Sequence, residues 1–173
     1  NRRKDSLLTL DAYRKLGGVE GALAHRAETV FNALSATIQA ALPQVMQSLI
    51  NVETDGTATA KRALLSSFAT PESNAFLQAL VDARLLTSDL TSDKEAVVSV
   101  THEALLRHWP RLVEWVQSNQ DRLRLQGRLG LATKRWLEEN RSPDFLWSQG
   151  KPLAEAGELS RERLEPSETT FIA

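Results

Sequence analysis

A mainly α-helical fold carrying one β-hairpin is what the sequence predicts, on three observations. Apolar residues recur at helical spacing through most of the chain: Leu23, Ala27, Val30, Phe31 and Leu34; then Phe76, Leu77, Leu80, Val81 and Leu85; then Leu125, Leu129, Ala132, Trp136 and Leu137. One stretch changes character. Leu85–Thr87 and Val97–Val100 are short β-prone runs on either side of the polar, turn-rich Ser88–Lys94, which predicts a hairpin. Finally, 42% hydrophobic and 25% charged residues match ordinary globular usage, which argues against wholesale disorder.

The elements follow in order. Asn1–Gly18 opens with a basic cluster (Arg2, Arg3, Lys4) and ends at Gly17-Gly18. Val19–Ser35 predicts an amphipathic helix. Thr37–Ile50 repeats the pattern with Ile38, Leu42, Met46 and Leu49, and Pro43 predicts a kink or break inside it. Asn51–Thr59 is polar with one glycine and predicts a loop, and Lys61–Phe68 a short helix. Pro71 fits a helix start. After the hairpin, Thr101 is placed to cap a helix carrying Leu105, Leu106 and Trp109, and Pro110 to begin the next, carrying Leu112, Val113 and Val116. Arg122–Asn140 is a longer amphipathic helix. Arg141–Ala173, with Pro143, Pro152, Pro166, Gly150 and Gly157, predicts short helices and loops. Three helices followed by a hairpin is the winged-helix order, here over residues 25–116, with a helical extension over 117–173.

Composition removes several function classes. The 173 residues suffice for one ordinary domain or two small ones, and the net charge is −1. The absence of cysteine excludes disulfides, thiolate metal sites and cysteine nucleophiles, and suits a cytoplasmic protein. No apolar run approaches the ~20 residues of a membrane span, and no signal peptide opens the chain. Lys and Arg number 4 against 7 Asp and Glu over residues 51–100, and 8 against 5 over 101–141. The acidic middle lacks the basic excess that nucleic-acid binding calls for.

Site chemistry is sparse. There is no P-loop motif, and Gly17, Gly18 and Gly21 do not form a dinucleotide fingerprint after a strand; a helix boundary explains them. His102 and His108 are six residues apart, which puts them on different helix faces, so no shared metal site is expected, nor is a catalytic triad. Trp109, Trp115, Trp136 and Trp147 fit core packing better than an aromatic binding platform. His102 is the residue to single out. It follows a β-prone run at the expected first turn of a helix, where unsatisfied N–H groups favour an anion such as a phosphate, to which an imidazole can also donate.

The string Val98-Ser99-Val100-Thr101-His102-Glu103-Ala104-Leu105-Leu106-Arg107-His108-Trp109-Pro110-Arg111-Leu112 resembles a segment of bacterial STAND-family NTPases, where a valine-rich strand leads to H-E-A-L-[IL]-x-x-W-x-x-L. Leu8–Tyr13 through Gly17–Ala24 looks like the end of their helical lid. Leu80-Val81-Asp82-Ala83-Arg84-Leu85-Leu86 looks like their last winged-helix helix running into the wing. The blocks come in the family's order and cover most of residues 7–116; residues 117–173 resemble, more weakly, the helical stretch before a repeat region, often of WD type. The resemblance implies a lid remnant (1–24), a winged helix (25–116) and a helical connector (117–173). Its implied partners are an upstream ATPase core and downstream sensor repeats of the same chain, with oligomerisation on activation and neither nucleic acid nor membrane. Without Walker motifs, this stretch alone is not expected to be an enzyme. Its only implied cofactor is the ADP or ATP of the whole protein. His102-Glu103 looks like the histidine-acid pair of the M-H-D motif in plant and animal relatives, with Thr101 in place of the methionine and Glu103 in place of the aspartate. That likeness implies that His102 contacts the β-phosphate of ADP in the whole protein.

Two functions therefore compete. One is the regulatory module of a signalling NTPase, locked against the nucleotide site in the ADP state. The other is a DNA-binding winged helix of a transcriptional regulator, which the topology allows. Charge opposes the second: Glu72 and Asp82 face Arg84 alone on the candidate recognition helix, and Asp89, Asp93 and Glu95 face Lys94 on the wing.

Overall fold

Gly17 and Gly18 take φ of 77° and 76°, a left-handed backbone that side chains oppose, and helix α1 (Gly18–Ala33) opens from them. The computed structural model describes residues 17–147, 150–159, 164 and 166–173. The Arg2–Lys4 cluster and the Leu8–Tyr13 block lie outside the described residues. The chain divides into two units: residues up to 50 with 59–117, and 51–58 with 118–173.

In the first unit, α1 is followed by α2 (Ala36–Gln39) and α3 (Leu42–Leu49). The Gln39 side-chain amide donates to the Phe31 and Leu34 carbonyls at 2.9 and 3.1 Å, satisfying the open end of α1. The break expected at Pro43 falls earlier, at Ala40–Ala41. Pro43 sits in the first turn of α3, where its missing N–H costs no helical bond.

Two expectations for the next stretch fail. The polar segment 51–59 is not simply a loop but the body of a hairpin, with β1 (Ile50–Val52) paired to β2 (Ala58–Ala60). The Glu53 N–H donates to the Thr57 carbonyl at 2.9 Å, and Gly56 takes the φ of 92° that the turn requires. The Thr57 N–H also donates to Asp55 Oδ1 at 2.8 Å and holds that carboxyl below its usual range. Lys61–Phe68 is not a helix: it holds β3 (Ala63–Leu64) and a single 3₁₀ turn at Leu65–Ser67. Pairing with a distant strand satisfies the backbone of β3, and that outweighs a weak local helix preference.

Helix α4 (Pro71–Asp82) starts as expected, with Pro71 in its first turn and Thr70 Oγ1 accepting the Ser73 N–H at 3.1 Å. Strands β4 (Leu86–Leu90) and β5 (Ala96–Val100) form the expected hairpin in the register Leu86↔Val100, Thr87↔Ser99, Ser88↔Val98. Antiparallel β3 pairs on the other side of β5, Ala63↔Val98, so the sheet order is β3-β5-β4. Val97, Val98 and Val100 are buried, and Asp89, Asp93, Lys94 and Glu95 stand exposed on the β4–β5 hairpin.

Helices α5 (Ala104–His108) and α6 (Pro110–Ser118) close the unit, and α1 packs on α5. Trp109, between α5 and α6, has no exposed surface and meets Phe31 edge-on at 6.1 Å; Phe31 meets Phe76 likewise at 6.3 Å. The buried indole N–H donates to Glu28 Oε2 at 2.8 Å. Arg111 grips the same carboxylate with two nitrogens, at 2.6 and 3.2 Å, and lays its guanidinium 4.2 Å from the centre of the Phe31 ring. Arg111 above all, against the opposing effect of partial desolvation, and then the Trp109 indole and Asn32 hold the Glu28 carboxyl down from 4.5 to about 2.

The second unit is built on α7 (Gln120–Glu138), with α8 (Lys151–Gly157) and α9 (Pro166–Phe171) against it. Its core is Leu129, Trp136, Ala156, Leu159 and Phe171, with Trp136 and Trp147 both edge-on to Phe171. The tip of the β1–β2 hairpin belongs to this unit: Arg124 Nε donates to the Glu53 carbonyl at 3.3 Å. A Cβ at Gly127 would collide with the Asn51 side chain, so glycine admits the hairpin tip.

Trp109→Ala removes a fully buried ring and leaves Glu28 short of a donor, so a destabilisation of ~3–5 kcal/mol is expected in urea melts. A loss within about 1 kcal/mol of the parent contradicts that packing role. Glu28 supplies a pH dependence of defined sign. Its folded carboxyl is depressed, so its contribution is complete above pH 4.5 and is lost as pH falls towards 2. With 35% of the side chain exposed, solvent screening holds this contribution to about 1 kcal/mol. Acid titration of stability should show a steeper fall between pH 4.5 and 2 in the parent than in Glu28→Gln; coincident profiles count against the pairing.

Candidate functional site

The site is built where the β4–β5 ladder runs out. The last ladder bond is Thr101 N–H to the Leu85 carbonyl at 3.0 Å, one position beyond the two strands. His102 is the next residue, and it is exposed. Here the structure corrects the local expectation. Thr101 does not cap the helix, and His102 does not occupy its first turn. The N-cap position is Glu103, which makes no side-chain cap, and α5 is five residues long. The His102 and Glu103 carbonyls accept the Leu105 and Leu106 N–H groups at 3.0 and 2.9 Å. His102 thus stands just outside a short helix, and its suitability for an anion rests on its free imidazole rather than on a helix dipole. Its side chain has no partner among the described residues.

Glu103 is engaged. Oε1 accepts the Ala60 N–H at 3.4 Å and Oε2 pairs with Arg107 at 3.5 Å. The acid of the His-Glu pair therefore ties the end of β2 to the start of α5 and holds the backbone from which His102 projects. A second polar contact, His108 Nε2 with Glu20 Oε2 at 2.9 Å, joins α1 to the end of α5.

The three histidines do not converge. His25 lies on the exposed side of α1, His108 is taken up by Glu20, and no group of three metal-ligating residues occurs among the described residues. The tryptophans form no shared platform either: Trp109 and Trp136 sit in the cores of separate units, and Trp115 and Trp147 are half-buried. Two groups escaped the sequence reading. Glu28 and Arg111 are 83 residues apart, and no local spacing signals their pairing. Arg84 enters the sequence reading only as one charge of the 72–84 stretch, yet it lies past α4 and takes a left-handed φ of 59° beside the ladder end.

Among the described residues, no helix is long and apolar enough to cross a membrane. Neither a curated protein nor a solved structure matches the chain. The model of one protein family, novel STAND NTPase 1, matches residues 1–144, which takes in the whole of the first unit and all of α7. That span is most of the chain and includes the His102 corner, and with it the chain belongs to the novel STAND NTPase 1 family.

Proposed function

We propose that the chain is a regulatory module of a STAND signal-transduction NTPase. It responds to the ADP or ATP held by an NTPase core and couples that core to a downstream sensor region. The module is a winged helix followed by a helical connector: helices, then β3, α4 and the β4–β5 wing, with sheet order β3-β5-β4. It is not itself the catalyst, since no P-loop motif occurs in its 173 residues. The observation that carries the reading is His102, an exposed imidazole without a partner among the described residues, held at the end of a ladder by Glu103. An imidazole in that state can donate to a phosphate oxygen, so the residues present fit a bound nucleoside diphosphate. A module that touches the phosphate in one state and not the other biases a two-state interface by the value of that contact.

The DNA-binding reading is the weaker one. The exposed face of α4 carries Glu72 and Asp82, and the wing carries Asp89, Asp93 and Glu95. A duplex binds where phosphates are neutralised, and this surface opposes it. A low-salt mobility-shift assay should show no tight duplex binding. Tight binding that charge reversal within 72–84 alters would favour the transcriptional reading instead.

In the NTPase that carries the chain, His102→Ala should weaken the closed, ADP-bound state by one hydrogen bond to a charged group, roughly 1.5–3 kcal/mol. That is a shift of about 10- to 150-fold in the closed-to-open ratio, read as faster ADP release. The 173-residue chain alone should melt unchanged, because the exposed His102 side chain has no hydrogen-bond partner to lose among the described residues. Unchanged ADP release in the variant removes His102 from the nucleotide site.

A further inference from the structure

Arg84, two residues past the end of α4, takes a conformation that its side chain opposes. Its φ is 59°, the left-handed position that follows a helix and usually falls to glycine or asparagine. The backbone bonds there are complete: the Arg84 N–H donates to the Val81 carbonyl at 2.8 Å and the Leu85 N–H to the Leu80 carbonyl at 2.9 Å. Glycine would serve this turn with less strain, so the turn does not explain the arginine. Strain of this kind points to a use for the side chain.

The register supplies the use. Leu86 pairs with Val100, and the Leu85 carbonyl takes the Thr101 N–H. One step further out on the two segments are Arg84 and His102. Both are exposed, and neither side chain has a partner among the described residues. The neighbouring carboxylates are already occupied. Asp82 Oδ1 accepts from Gln78 at 2.7 Å, and Glu103 is held by the Ala60 N–H and Arg107. The corner therefore offers two free donors, one always cationic, beside acids that are spoken for.

We propose that Arg84 is a second phosphate-binding residue of this module, acting with His102 on the same phosphate group of a nucleoside diphosphate. A guanidinium presents a planar fork of donors that matches phosphate oxygens, while the imidazole adds a single directed bond. The inference rests on the nucleotide reading of His102 and adds a charge to it.

ADP release from the NTPase that carries the chain tests this, with Arg84→Gly, Arg84→Lys and His102→Ala compared. Glycine fits φ 59°, so Arg84→Gly should leave the melting temperature of the 173-residue chain equal or higher. It should also speed ADP release by about 10- to 100-fold, the loss of a charge-assisted bond. Arg84→Lys, which keeps the charge and loses the fork, should fall between. If His102→Ala speeds release and Arg84→Gly does not, the role of Arg84 is overturned and the nucleotide reading stands. If neither variant changes release, the nucleotide reading itself fails. If Arg84→Gly lowers the melting temperature by several degrees and leaves release unchanged, the arginine is structural and the proposal is overturned.

Discussion

The first unit depends on one buried indole. Trp109 fills the space between α5 and α6, packs against Phe31 and so indirectly against Phe76, and its burial costs free energy unless its N–H finds an acceptor. Glu28 on α1 is that acceptor, and a carboxylate drawn so close to a core needs a cation, which Arg111 supplies from α6. Three side chains thus join α1, the α5–α6 junction and the aromatic core in one arrangement. The partial burial of the carboxylate is offset by two charge-assisted bonds and an indole bond. Each group needs the other two, so the position of α5 relative to α1 is specified rather than merely favoured.

That specification matters because α5 begins beside His102. The imidazole has no partner of its own among the described residues. Its place is set by what surrounds its backbone: the Thr101–Leu85 bond on the strand side, and the Leu105 N–H and the Glu103 tether on the helix side. The Trp109 cluster anchors the other end of the same five-residue helix, and Glu20 with His108 adds a second tie to α1. The proposed regulatory role would need an exposed group whose free state is unsatisfied and whose framework does not yield when a ligand is lost. An unpartnered donor on a tightly bonded turn meets both conditions.

Legibility in the sequence followed the range of the interaction. The β4–β5 hairpin, the helix start at Pro71 and the burial of Trp109 rest on local patterns of period two, period 3.6 and helix-start chemistry, which the residues themselves carry. The hairpin β1–β2 was missed because Asn51–Thr59 has the polar composition of a loop. Its strands are short, and its tip is held by bonds to α7, some seventy positions away. The 61–68 segment was misread for a like reason, since β3 exists only because β5 lies beside it.

By itself, the sequence determined the helical fold class, the hairpin, the absence of cysteine chemistry and of a P-loop, and His102 as the residue to test. Each of these is a property of residue type or short spacing. Tertiary structure alone decided the rest. It moved His102 out of the helix turn that had first recommended it and gave Glu103 a tethering role. It also brought Glu28 to Arg111 across 83 positions, and set Arg84 one step past the ladder end, as His102 is on the facing segment. Those placements depend on strand register and helix packing, which join residues distant in the chain and leave no periodic trace in it.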